Sequence, residues 1–376
     1  MVATQTGVSS TIVAADQLLD TPMMVIDEAM MQRNIAEMQA LANSHGVNLR
    51  PHIKTHKMPE IARRQIAAGA VGITCAKLGE AEVMVAGGIT DVLIAYPTIG
   101  AIKIQRLLAL MERARMILAF DSREAAQAMS DAMVANGREL EVYAEVNTGQ
   151  HHAGVAYGDE AVALALDIAR MPGLRMIGVM SHEGHANSAT PETIKETALT
   201  AGRNLVATAE TIRSYGVELS VVSTGSTPAA AYTPTIAGVT EMRPGTYVFR
   251  DASGFRYGVY GVDRCAARVL ATVVSHPTKD RCIVDAGAKT LALDKTPGQP
   301  GHGYVVGHVT SIIGALREEH GIVTIGEDDP GFAIGDRVEI IPNHICPAIN
   351  LMDEVSVVRD GHVIATWTVA ARGKIR

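Results

Sequence analysis

Aromatic residues are scarce in this chain, 4% of 376 residues, and positive charge is not in excess: 33 lysines and arginines stand against 40 acidic residues, a net charge of -7. Nucleic-acid grooves need basic surface and aromatic faces for base stacking, so that class of partner is excluded. Apolar runs are short as well. None approaches the ~20 residues that cross a bilayer, and no basic stretch followed by an apolar one stands near residue 1. The expectation is a soluble, cytoplasmic protein with no membrane partner. The four cysteines, Cys75, Cys265, Cys282 and Cys346, are too few and too scattered for a disulfide framework, so each is a core thiol or a metal ligand.

Against these shortages stand 47% hydrophobic and 19% charged residues, enough apolar material for a large core. A barrel of about 250 residues plus a second domain would fit the length. Runs rich in β-branched residues recur over 47–52, 71–75, 92–96, 116–120, 140–147, 175–182, 219–224 and 239–249, mostly separated by Ala-rich amphipathic segments. Strands alternating with helices pair in parallel, and eight such units suit a closed barrel better than an open sheet. No Gly-x-Gly-x-x-Gly follows the first strand, which disfavours the open dinucleotide-binding alternative. Beyond residue 255 strands are expected over 268–275, 281–285, 303–313, 337–341, 355–358 and 362–369, joined by Gly, Pro and Asp turns. The expected organisation is therefore an α/β protein with an N-terminal (βα)8 TIM-like barrel over 28–252 and a C-terminal all-β domain over 253–376. A segment over 1–27, polar to residue 16, carries an early strand that joins the β domain.

Chemistry-bearing residues gather where such barrels place them, at the C-terminal ends of strands. Lys54, in Arg50-Pro-His-Ile-Lys-Thr-His-Lys57, follows the first barrel strand; partly desolvated there, its amine could form a Schiff base, whereas the bland alternative is a solvated basic loop. Ser223-Thr-Gly-Ser-Thr-Pro228 follows the seventh strand, and Gly245 and Tyr247 lie near the eighth. Backbone N–H groups and small hydroxyls in such turns cradle phosphates, though they also form plain turns. With Lys54 the Ser/Thr/Gly turn suggests a phosphorylated aldehyde cofactor. His182 ends the sixth strand and His152 follows the fifth, each able to act as acid, base or ligand, or as a structural hydrogen-bonder. If Asn343-His-Ile-Cys-Pro347 is extended, His344 and Cys346 point to one face and can share a divalent ion; two ligands suit a catalytic ion better than a structural one. A core cysteine beside a capping histidine is the alternative.

From about residue 20 onward the chain resembles the D-threonine aldolase and D-serine dehydratase family, whose fold is alanine racemase-like, fold type III of the pyridoxal 5'-phosphate enzymes. Besides the segments over 50–62 and 223–228, the resemblance is carried by Thr240-Glu-Met-Arg-Pro-Gly-Thr-Tyr-Val-Phe249, Val284-Asp-Ala-Gly287, Glu319-His-Gly321, Pro342-Asn-His-Ile-Cys346 and Trp367-Thr-Val-Ala-Ala-Arg-Gly373. It implies that Lys54 carries pyridoxal phosphate. Ser223, Gly225, Ser226, Thr227, Gly245 and Tyr247 would surround the cofactor, and His344 with Cys346 would hold a divalent ion (Zn, Mn or Mg). It also implies a small D-β-hydroxy-amino acid substrate and a homodimer. His152 stands where family members usually have an arginine near the cofactor's ring oxygen; a histidine is shorter and need not be charged.

Two lyase reactions follow from the same residues. In aldol cleavage a base such as His182 takes the substrate's hydroxyl proton and the Cα–Cβ bond breaks; in dehydration Lys54 takes the Cα proton and hydroxide departs. The run from Lys54 to Ala62 and the Ala370-Ala-Arg-Gly373 segment look like the aldolases, and Cys346 looks like the dehydratases, with aldol cleavage favoured. An amino-acid racemase would need no metal pair, and a non-enzymatic cofactor-binding protein would lack the β domain.

Overall fold

A strand ends where its β-branched run meets a cap, and the first example sets the pattern: β1 (Met23–Asp27) stops at Asp27, whose Oδ1 accepts the Met30 N–H at 2.9 Å and starts α1 (Glu28–Ser44). The computed structural model describes residues 19–188, 190–256 and 258–376; the polar start over 1–16 lies outside them. The chain forms two compact units. One comprises Ala36–Lys54, Met58–Gly245 and Gly373–Arg376, and the other comprises the residues up to Ile35, Thr55–Lys57 and Thr246–Arg372.

The first unit is the barrel. It runs through β2 (Asn48–Leu49), α2 (Pro59–Ala67), β3 (Ile73–Cys75), α3 (Leu78–Ala86), β4 (Asp91–Ile94), α4 (Ala101–Met111), β5 (Arg115–Phe120), α5 (Arg123–Ala135) and β6 (Leu140–Asn147). After the two-residue β7 (Val155–Ala156) come α6 (Asp159–Ala169), β8 (Leu174–Met180), α7 (Pro191–Ser214), β9 (Val221–Thr224) and β10 (Glu241–Met242). Helix starts obey local chemistry: Pro59 opens α2, where its missing N–H costs nothing, and Thr190 Oγ1 accepts the Thr193 N–H before α7. The parallel order is β2-β10-β9-β8-β6-β5-β4-β3, with β7 off the path on β6. The two ends meet through Val71 N to Leu49 O at 3.0 Å, Thr74 N to Pro51 O at 2.8 Å and the His52–Thr74 bridge, so the sheet closes. Alternation along the strands sends Leu93, Ile117, Ala119, Tyr143 and Met180 into one buried cluster, which Ile177 joins at the register irregularity of β8. At the N-terminal rim, Arg115 bridges Asp91 and Glu141, and Arg175 bridges Glu139 and Glu141, so that end is closed by ion pairs and the chemistry is left to the other.

The second unit contains α8 (Ala252–Arg256), β11 (Ala267–Thr278), β12 (Arg281–Val284), α9 (Ala288–Leu291), β13 (Tyr304–Val305), β14 (Ile312–Leu316), β15 (Gly321–Thr324), β16 (Arg337–Ile341), α10 (Ile345–Asn350), β17 (Glu354–Arg359) and β18 (His362–Thr368). Its order is β14-β15-β12-β11-β1-β17-β18, with β16 paired to β11 and β13. β1 lies antiparallel to β11 and parallel to β17, so the early strand is central to this sheet.

Three expectations need correction in detail. The strand expected over 239–249 is only the two residues of β10, because Pro244 interrupts it and a 3-10 turn follows at Thr246–Val248. The run over 303–313 divides into β13 and the start of β14, since Gly307 takes φ +83° and Asp329 ties the turn by accepting from Ser311 Oγ (2.5 Å) and pairing with His308 (2.8 Å). The stretch at 343–347 is not extended throughout: α10 begins at Ile345, with Pro347 tolerated in its first turn.

Candidate active site

Lys54 sits half-buried in the 3-10 turn Ile53–Thr55 directly after the first barrel strand. Its own N–H donates to His52 Nδ1 at 3.3 Å. Arg50, upstream on the strand line, is buried; desolvation would lower its pKa, but Glu241 and Asp91 push it upward instead. Arg50 Nε donates to Glu241 Oε2 at 2.8 Å, and Glu241 Oε1 accepts from Ser223 Oγ at 2.6 Å. Ser223 in turn accepts from the Arg243 guanidinium, whose second nitrogen reaches Ser181 O at 2.6 Å. One continuous polar chain thus crosses the barrel interior from Asp91 to the ends of β8 and β9. Ser223 is part of this support, its hydroxyl committed to Glu241 and Arg243.

The turn that follows presents Gly225, Ser226 and Thr227. Ser226 Oγ accepts the Ala229 N–H at 3.3 Å, and Thr227 stands at the start of a short 3-10 turn, Pro228–Ala231. Gly225 is held from two sides. Its N–H donates to Glu183 Oε2 at 2.8 Å, and its carbonyl accepts the Glu183 N–H at 3.2 Å. A Cβ at Gly225 would come 3.2 Å from Arg243 Nη2, so this close approach favours glycine. Small hydroxyls and backbone amides over a buried guanidinium match the chemistry of a phosphate cradle. With the amine of Lys54 after β2, two strands along through β10, the donor set fits a phosphorylated aldehyde. Gly245 is half-buried after β10, and in the other unit Tyr247 is buried, 1% exposed.

His182 and Glu183 continue from β8. Burial, with the positive charges of Lys54 and Arg243, pushes His182 down to about 3, against a hydrogen bond to the Gly225 backbone. Burial thus favours the neutral ring. Burial raises the Glu183 carboxyl, opposed by hydrogen bonds from Ser181 Oγ (2.7 Å) and Gly225. Glu145, inward-facing near the end of β6, is pushed up to about 7 by burial and by Asp121, against the pull of Arg243. His152 is exposed; its charge is nonetheless among those that depress His182.

In the second unit His344 stands just before α10 and Cys346 in its first turn. The two side chains hydrogen-bond to each other. Burial alone would lower the His344 pKa, but Cys346, Asp251 and Asp294 push it up to about 10. His344 Nδ1 lies 2.7 Å from Asp294 Oδ2, an arrangement that leaves Nε2 as the ligating nitrogen. Thr55, the residue after Lys54 in the chain, places its hydroxyl 3.2 Å from Cys346 Sγ. Among the described residues no three His, Cys, Asp or Glu side chains converge to hold an ion. A thiol and an imidazole oriented by a carboxylate fit a two-ligand divalent site.

Glu145, Glu183 and Asp294 were not singled out from the sequence, and Arg243 stood there only inside a motif. An acidic residue within the apolar strand Leu140–Asn147 was the one available signal; Glu183 meets Gly225, and Asp294 meets His344, only across long separations in the chain.

The model of the alanine racemase N-terminal domain matches residues 26–253, and that of a putative serine dehydratase domain matches residues 266–358. The chain is 35% identical over 365 residues to a D-threonine aldolase of Arthrobacter sp., covering 94% of this chain and 93% of the relative. It is 38% identical over 347 residues to the D-threo-3-hydroxyaspartate dehydratase of Delftia sp. (strain HT23), covering 87% and 91%. A solved structure of a D-threo-3-hydroxyaspartate dehydratase cysteine-to-alanine variant in the metal-free form superposes with a TM-score of 0.87 at 36% identity, covering 93% of this chain and 97% of that one.

Proposed function

The chain belongs to the family that joins an alanine racemase N-terminal domain to a serine dehydratase domain, and from that premise we propose that it cleaves the Cα–Cβ bond of D-β-hydroxy-amino acids such as D-threonine. It is a pyridoxal-phosphate-dependent lyase. Lys54 would hold the cofactor, the turn from Gly225 to Thr227 would receive its phosphate with Gly245 and Tyr247, and His344 with Cys346 would hold a divalent ion. The cofactor supplies an electron sink for charge developing at Cα. The ion supplies Lewis acidity toward a hydroxyl.

The observation that carries the choice of aldol cleavage is the position of His182 at the end of β8, hydrogen-bonded to the Gly225 backbone and in the field of Lys54, where burial favours its neutral form. One of its nitrogens is tied to the Gly225 backbone, and the other accepts the proton of the substrate's hydroxyl. Aldol cleavage requires such an acceptor, whereas dehydration requires a base at Cα and a departing hydroxide. A base so weak cannot deprotonate an ordinary alcohol, so the hydroxyl itself must be acidified, the task assigned to the ion.

Cys346 favours a second reaction, dehydration, in which Lys54 takes the Cα proton and the hydroxyl leaves as hydroxide. Product analysis with D-threonine, D-serine and the L isomers separates the two. Glycine with one acetaldehyde per D-threonine, and no turnover of L-threonine, is the expected result. Formation of 2-oxobutanoate from D-threonine, or pyruvate from D-serine, with one ammonia each, would overturn aldol cleavage in favour of dehydration.

A further inference from the structure

Asp294 and His344 meet through side chains that are 45% and 43% exposed. A contact so exposed does not fix either group by itself, because water competes for both and each must give up rotamer freedom. What fixes Asp294 is its main chain. Its carbonyl accepts from Asn343 Nδ2 at 3.1 Å, and the same nitrogen donates to Gly301 O at 2.9 Å. Both ends of the loop over 292–303 are thus drawn to one side chain, on a residue only 2% exposed. Asn343 Oδ1 accepts from Arg256 Nη1 at 3.0 Å, and Arg256 also donates to two carbonyls of that loop, Pro300 O at 3.2 Å and Gly303 O at 2.8 Å. Between these points the buried Thr296 hydroxyl pairs with Ser253 Oγ at 2.9 Å, and Ser253 Oγ donates to Asn343 O at 2.6 Å.

The backbone shows the same constraint. Ala292, where α9 gives way to the loop, has φ +61° and ψ −178°, a conformation ordinarily left to glycine. A residue with a Cβ stays there only when its surroundings over-determine the path, and two residues further on that path delivers Asp294. Asn343 and His344 are consecutive in the chain. One grips the main chain of Asp294 and the other meets its carboxylate, so the contacts close a small ring. Such a ring sets the distance and angle of the carboxylate to the imidazole before any ion arrives, which spares the ion the cost of ordering them.

We propose that Asn343 is a positioning residue for the ion: acting through Asp294, it keeps the His344 ring oriented so that Nε2 is left for the ion. The assignment rests on the ion-binding role given above to His344 and Cys346. Asn343 is no ligand itself, since it is buried and its amide oxygen and nitrogen are committed to Arg256, Asp294 and Gly301. A residue that acts only through Asp294 can cost no more, when removed, than Asp294 itself. It costs nothing further once Asp294 is gone.

The test is a double-mutant cycle on the cofactor-loaded protein stripped of ions. Zn2+ is titrated against a competing chelator, with circular dichroism and cofactor absorbance followed alongside. Asn343→Ala should weaken Zn2+ binding roughly three- to tenfold, within the loss expected for Asp294→Ala. In the Asp294→Ala background the same change should weaken it less than about twofold. An asparagine that merely supports the fold gives another pattern, equal losses in the two backgrounds, and that result would overturn the proposal. Wild-type affinity in Asn343→Ala would overturn it too. Should Asn343→Ala not fold, Arg256→Met serves, since it leaves the asparagine in place without its partner. Its loss should likewise shrink below about twofold beside Asp294→Ala, and equal losses, or none in either background, would overturn the proposal. Failure of the ion-binding role itself looks different, because His344→Ala would then bind Zn2+ as tightly as the wild type.

Discussion

Asp294 makes the ligand role of His344 measurable. Its Oδ2 sits 2.7 Å from His344 Nδ1, which fixes the ring's orientation and raises the basicity of the nitrogen left for an ion. Two substitutions divide these effects: Asp294→Asn keeps an acceptor for the Nδ1 proton but removes the charge, and Asp294→Ala removes both. Losing such an outer partner generally weakens metal binding by about 10- to 100-fold. The side chains of His344 and Asp294 are 43% and 45% exposed, so water screens their interaction and the low end applies. The expected loss is about tenfold for alanine, near 1.4 kcal/mol, and only a few-fold for asparagine. The assay strips the protein of ions and titrates it with Zn2+ or Mn2+ against a competing chelator, while cofactor absorbance and circular dichroism report integrity. Wild-type affinity in both variants would refute the ligand role of His344, and asparagine weaker than alanine would refute the orienting role of the hydrogen bond.

Chelation should stop turnover and leave secondary structure and bound cofactor in place, because two ligands contribute little to a fold with cores this large; collapse on chelation, followed by circular dichroism, would make the site structural. Cys346→Ala and His344→Ala should likewise keep the yellow colour and lose most activity when assayed at saturating substrate. Stability should respond to pH in two opposed ways. His182 stays neutral in the fold down to about 3 and is protonated in the unfolded chain below about 6.5, so the unfolded state binds more protons and stability rises with pH across that window. Glu145 remains protonated in the fold to about 7, whereas the unfolded carboxyl ionises from about 4.5, so its contribution falls as pH rises between those values. Urea denaturation of wild type and Glu145→Gln over pH 4.5 to 7 isolates the second effect: the variant should gain on the wild type by up to ~3 kcal/mol, and parallel curves would contradict the burial argument.

Much of this architecture was legible in the residues themselves. All eight barrel strands were placed because β-branched runs alternate with Ala-rich helical stretches, and that count, with no dinucleotide fingerprint after the first strand, favoured a closed sheet over an open one. Lys54 and the 223–228 turn were legible for a related reason, since a strand end followed by polar, small residues is where such a barrel exposes them. Two features escaped for local reasons. Gly321–Thr324 is too short to show a period, and His344-Ile-Cys346 alternates like a strand although Pro347 fits the first turn of a helix equally well. The polar chain through the lumen escaped for a global one: Arg50 and Glu241 are 191 residues apart, and nothing near either announces the other. An arginine buried in a barrel is intelligible only once the fold has set a carboxylate beside it.

The central claim is that this barrel does its chemistry through the amine of Lys54, and borohydride reduction of the yellow holoenzyme followed by peptide mapping tests it most directly. The phosphopyridoxyl label should appear on Lys54 in the peptide around Ile53–Thr55, with Lys54→Ala binding no cofactor covalently. Label on Lys57 or Lys77 instead, or a protein that takes up no pyridoxal phosphate, would contradict the account.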